Sequence, residues 1–185
     1  MSERASRVLA VIGLGVGGLL GMAGAFAPSA SLRGLLWGMD GAGLVMASAL
    51  LTLAFQRTGH DIVAAGFLVF AVGEGIILSG SAMELRASTP LFGAGATLWA
   101  VALTLISSGR AFSLPARALG LLAALLLGST GLRILAGAPL TPLSAPLPFY
   151  AYPVFVATMV AWMPTILRAE GLPVAERPDT NPDAI

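Results

Sequence analysis

The chain has no cysteine and no lysine, it has one histidine, and only 10% of its 185 residues are charged. Lack of cysteine removes disulfides, thiolate metal ligands and cysteine nucleophiles together. The lone histidine, His60, leaves a serine–histidine–acid triad without a suitable base, and it falls short of the several ligands that a metal site needs. No P-loop, GxSxG, HExxH or CxxC occurs, so no cofactor is expected. Net charge is +1, and no basic stripe interleaved with aromatics exists, which removes support for nucleic-acid binding. Soluble domains carry about 25% charged residues. This chain has too few charges to cover a surface facing water.

What it has instead is apolar: 57% of residues are hydrophobic, and the mean hydropathy is +0.89. The class that fits is an all-α, polytopic integral membrane protein. A span needs about 20 mostly apolar residues to cross roughly 30 Å of hydrocarbon. Six segments qualify: Val8–Ala27, Leu32–Phe55, Asp61–Ser81, Pro90–Ser108, Ala116–Ala136 and Phe149–Leu167. The breaks carry turn chemistry, among them "APSAS", "QRTGHD", "ELRASTP" and the proline-studded "AGAPLTPLSAPLP". This divides the chain into a six-span bundle, residues 1–168, and a polar tail, residues 169–185, expected to be mobile.

The first segment invites a check against a signal peptide, because Arg4 and Arg7 precede it and "AFAPSA" resembles a cleavage region. Its apolar run is longer than a signal-peptide core, and proline follows the Ala-Phe-Ala, so it reads as a retained span. With six spans, one side collects Arg4, Arg7, Arg57, Arg110, Arg117, Arg168 and Arg177, and the other Arg33, Arg86 and Arg133. The positive-inside rule then puts both termini in the cytoplasm. An all-arginine basic set with abundant Ala, Gly and Leu suggests a GC-rich bacterial source, hence a multi-pass protein of the cell (inner) membrane.

Two carboxylates stand well inside spans. Asp40 sits in "GMDGAG" and Glu74 in "VGEGI". Spans two and three form a hairpin, and Asp40 lies 17 residues before Arg57 while Glu74 lies 16 after Thr58. In an antiparallel pair, that places them at nearly the same depth. A charged carboxylate at a span's centre costs roughly 2.5–3.5 kcal/mol on insertion scales. Protonation, a partner cation, or one proton shared by both acids would lower that cost, and each route requires them to face the bundle interior. Asp40 and Glu74 are therefore the candidate acid–base or ion-binding residues. Around them we expect Trp37 on the Asp40 face, Arg33 or Arg133 as cations, and the polar strip Ser129–Thr130. Tyr150 and Tyr152 are expected over the acids, with Phe70 in the wall. The proline-rich loop 137–148 reads as a stiff connector or a lid across the bundle mouth.

Three further expectations concern packing. Gly13, Gly17 and Gly21 recur at four-residue spacing, a smooth face for packing within the chain or for a homo-oligomer seam. Thr58 and Asp61 read as a capping box opening span three. Pro164 should end or kink span six. The hairpin, together with "SLPARALGLLAALLLGSTGLRIL", resembles small six-helix bacterial membrane proteins of unknown function, whose fifth span opens with a Leu-Pro and an early glycine, here Pro115 and Gly120. That likeness implies the fold class alone.

Three functions follow as expectations. The first is a binding or transport module whose carboxylate pair takes a proton, a cation or the polar end of a lipophilic molecule in the outer half of the bilayer. The second is an intramembrane acid–base isomerase or cyclase acting on a lipid-like or isoprenoid substrate, with Trp37, Phe67, Phe70 and Trp99 as pocket walls. The third is an accessory or scaffold subunit, with the acids as internal glue. Membrane lipids are the surrounding partners in all three.

Overall fold

The computed structural model describes residues 2–168, so the expected polar tail lies outside the described residues. Six helices follow in chain order: α1 Glu3–Ala25, α2 Ala30–Arg57, α3 Asp61–Ser79, α4 Leu85–Ser108, α5 Leu114–Leu135 and α6 Ala151–Arg168. All six are long and apolar enough to cross a membrane, which is compatible with a multi-pass membrane protein.

Each helix packs on its neighbours in sequence, and α6 closes against α1. The result is a ring of six antiparallel neighbours. One end, called distal here, carries the α1–α2, α3–α4 and α5–α6 connections. The other, terminal end carries the start of α1, the end of α6 and the remaining two turns. Glycine pairs tighten the ring by letting backbones meet. A Cβ on Gly13 would lie 2.6 Å from the Gly43 carbonyl oxygen, one on Gly95 would lie 2.7 Å from that of Gly73, and one on Gly131 would lie 2.8 Å from that of Gly93. Helices in lipid would gain little from hydrophobic association, and close van der Waals contact of this kind is what would hold them together there. The Gly13–Gly17–Gly21 face is covered within the chain, against α2 and Tyr152.

A six-helix ring encloses a central space that side chains must fill. In the terminal half they do so with aromatics. Phe67 stacks on Phe55 at 5.5 Å and meets Trp162 edge-on at 5.4 Å, while Phe112 packs on Trp162 at 5.6 Å. Towards mid-depth, Phe70 stacks on Trp99 at 5.7 Å and Trp99 on Phe155 at 5.0 Å. All of these rings are buried.

Several ends differ from the sequence-based expectation. α1 starts at Glu3, before the apolar run, because the Ser2 side chain accepts a hydrogen bond from the Ala5 N–H at 3.3 Å. α4 starts at Leu85 and runs through Pro90, since its first turns near the bundle end tolerate one lost backbone bond. α6 likewise continues through Pro164 to Arg168, so this proline does not end the helix. The capping box is absent: Thr58 closes α2, donating its hydroxyl to the Phe55 carbonyl at 3.1 Å, and His60 precedes α3 without a side-chain cap. Gly59, with φ of +76°, makes the turn between them. At the α4–α5 turn, Arg117 donates to the Ser107 carbonyl at 2.7 Å, satisfying the last turn of α4.

Candidate functional site

The distal half of the ring is hollow. A cavity of about 420 Å³ opens at the distal end and reaches down to Trp99 and Leu127. All six helices contribute to it, from Gly21 on α1 to Tyr152 on α6. Asp40 and Glu74 both line it, and they are 6% and 2% exposed respectively. The two acids thus face one interior space from adjacent helices.

Small residues make room for them. A Cβ on Gly41 would approach Glu74 Oε1 to 3.0 Å, and one on Gly17 would approach Asp40 Oδ1 to 3.2 Å. A Cβ on Gly21 would collide with the Tyr152 hydroxyl and lie 2.7 Å from Asp40 Oδ2. That tyrosine donates to Asp40 Oδ2 at 3.4 Å, long for an O–H···O bond and correspondingly weak. Asp40 Oδ1 and Glu74 Oε2 are buried without any hydrogen-bond partner. Trp99 brings its indole N–H towards Glu74 from α4 but closes no hydrogen bond of full geometry, and its Nε1 remains unpartnered. Among the described residues no ion pair reaches either acid, and the one ion pair joins Arg7 to Glu3 at the terminal end, at 3.2 Å.

Five of the ten residues singled out in the sequence line the cavity: Asp40, Glu74, Trp37, Arg33 and Tyr152. Trp37 is fixed by donating its Nε1–H to the Gly21 carbonyl at 3.2 Å. Arg33 does not pair with Asp40; its guanidinium lies over the Trp37 ring, 5.9 Å from the centroid. The ring four residues on is simply closer than the acid seven residues on. The other five stand outside the cavity lining. Arg133 is exposed in the last turn of α5. Ser129 and Thr130 return their hydroxyls to the carbonyls of Leu125 and Leu126, one turn back on their own helix. Tyr150 is 61% exposed, and Phe70 belongs to the aromatic column beneath.

The loop ahead of α6 does form part of the mouth, through Pro142, Leu143, Pro148 and Phe149. Ser144 Oγ accepts from the Thr141 N–H at 2.8 Å, which folds this loop on itself, and Phe149 meets Phe26 of the α1–α2 turn edge-on at 5.9 Å. Sequence reading missed the wall supplied by Glu84, Leu85, Arg86, Ser88 and Phe92. Leu85, Ser88, Phe92 and Trp99 recur at helical spacing, a signal hidden by treating Pro90 as the helix start. Of the four walls expected for an intramembrane enzyme, Trp37 and Trp99 line the cavity, whereas Phe67 and Phe70 do not.

In outline, then, the molecule is a six-helix ring with a one-ended cup that holds two unpaired acids. No family model, no curated protein and no solved structure matches this chain.

Proposed function

We propose that this protein is an integral membrane binding module that accepts a small lipophilic molecule in the distal cup, with the polar end of the guest on Asp40 and Glu74. The observation that carries this reading is that both buried acids line one open cavity with predominantly apolar walls. Pockets of about 300–1,000 Å³ with apolar walls and a few convergent polar groups are the common form of a small-molecule site. The glue reading is less well supported, because the acids bond neither to each other nor to a serine, and the one bond that joins helices through them, Tyr152 to Asp40 at 3.4 Å, is long. Transport through the ring would require the aromatic column to part, so binding is the simpler assignment. Arginine asymmetry supports an orientation with both termini in the cytoplasm and the cup open towards the outer face of the cell membrane.

The chain lacks native cysteine, so a single introduced thiol reports on the cup directly. In nanodiscs, Ser88→Cys in the cup wall should react with neutral methyl methanethiosulfonate, and Ser107→Cys, buried between α4 and α5, should not. One-ring lipophilic guests should slow labelling of the first variant. If Ser88→Cys is inert, or if no guest protects it, the binding assignment is wrong.

A further inference from the structure

We infer that the cup selects organic monocations, an ammonium head on an apolar body, over neutral and anionic molecules of the same shape and over metal ions. This inference rests on the binding reading above and names the class of its guest.

The argument starts from unmet demand. An ionised carboxylate is an acceptor only, and Asp40 Oδ1 and Glu74 Oε2 are both more than nine-tenths buried with no donor. Tyr152 meets part of the demand at Asp40 Oδ2, which leaves Glu74 the less satisfied acid. Among the described residues, no cation pairs with either. Arg33 is held over Trp37, Arg86 stands at the mouth beside Glu84, and Arg133 is outside. With no such cation at hand, a guest that carries a positive charge meets the demand that a proton on either acid would otherwise meet.

The walls specify what kind of positive charge. Trp37, Phe92, Trp99, Phe149 and Tyr152 line the route from mouth to acids, and aromatic faces attract ammonium groups most strongly where water is displaced. A hard metal ion asks for six or more oxygen ligands in a shell. Among the described residues, no group of three or more His, Asp or Glu side chains could hold one. A quaternary ammonium donates no N–H hydrogen bond and meets the acids by charge alone; it has no coordination geometry to satisfy, and its methyl groups suit an aromatic wall. The charges at the mouth, Arg33, Arg86 and Glu84, lie nearest to solvent and are screened there, while the deep acids are not.

Benzyltrimethylammonium and neopentylbenzene share a shape and differ in charge, and they make the test. On the full chain in nanodiscs, each is titrated against labelling of Ser88→Cys, alone and combined with Glu74→Gln or Asp40→Asn. Either acid substitution should raise the half-protecting concentration of benzyltrimethylammonium roughly tenfold or more. It should leave that of neopentylbenzene within about twofold, which also certifies an intact cup. Benzenesulfonate, sodium and calcium should not protect. Equal responses of both probes to the acid substitutions, or protection by calcium matching that of the ammonium, would overturn the inference and leave the binding reading standing. Absence of protection by every guest would overturn both. Each acid is tested separately, so one variant that fails to fold does not remove the test.

Discussion

The two halves of this bundle share helices and differ in filling. In the terminal half, the ring's central space is packed by Phe55, Phe67, Phe112 and Trp162, each ring within 6.5 Å of another. In the distal half, glycine, serine and the two acids stand among the aromatic and aliphatic residues that face inward, and a cavity of about 420 Å³ is left. Trp99 joins the halves: it stacks on Phe70 and Phe155 in the column and forms the floor of the cup. Large rings fill the space between the helices in one half, and where smaller and polar residues stand among the rings in the other half a cavity is left.

The largest effect should come from opening the packed half. Phe67→Ala removes a fully buried ring touching Phe55, Phe112 and Trp162, and it should destabilise the protein by about 3–5 kcal/mol. Glu74→Met should act in the opposite direction. Replacing a buried acid that lacks partners with an apolar side chain of similar length is neutral or stabilising, here by about 1–2 kcal/mol. Thermal unfolding in one detergent, with unfolding followed by circular dichroism, compares the two directly. If Glu74→Met destabilised the protein as much as Phe67→Ala, the cup would be a structural element like the column, and the contrast between the halves would fail.

How much of this contrast was visible in the sequence depended on the residue. Six spans were readable from apolar run length, and the equal depth of Asp40 and Glu74 followed from counting outward from the Arg57–Thr58 turn. Those are properties of one chain segment or one hairpin. The aromatic column draws rings from α2, α3, α4 and α6 and from the α4–α5 turn, so it required the closure of α6 on α1, which no local pattern declares. The arginines were legible as charges but not as partners. Arg33 had two candidate neighbours on its own helix, Trp37 and Asp40, and spacing favours the ring. Pro90 hid the first turns of α4, and with them Leu85 and Ser88, because a proline reads more naturally as a helix start than as a sixth helical residue.

A smaller effect should sharpen the contrast from inside the cup. At Gly21 any Cβ meets the Tyr152 hydroxyl, so Gly21→Ala should turn that ring away and break its 3.4 Å bond to Asp40. The bond is long and contributes little, so stability should change by less than about 1 kcal/mol. Ammonium affinity should fall severalfold, because the displaced ring narrows the space beside the acid. Tyr152→Phe in the Gly21→Ala background separates the two causes: if space is the limit, removing the hydroxyl restores part of the lost affinity. A Gly21→Ala protein with unchanged affinity and labelling would mean that α1 is not a wall of the working site.

The smallest effect belongs to the mouth. Arg33→Gln removes a positive charge two helical turns, roughly 10 Å, above Asp40. If the deep acids recruit a cation, this charge opposes its entry, and the variant should bind benzyltrimethylammonium about two- to threefold more tightly at low salt. The electrostatic part of the gain should vanish as ionic strength rises and the Debye length drops below that separation. Arg33 also lies on the Trp37 ring, so its loss frees an aromatic face for the guest, a second contribution of the same sign that salt leaves largely intact. Titrating salt separates the two: a gain that disappears is repulsion, and a gain that persists is the ring. A loss of affinity at every ionic strength would instead make Arg33 a clamp that holds Trp37 in the wall, and the mouth would then belong with the rigid half of the molecule.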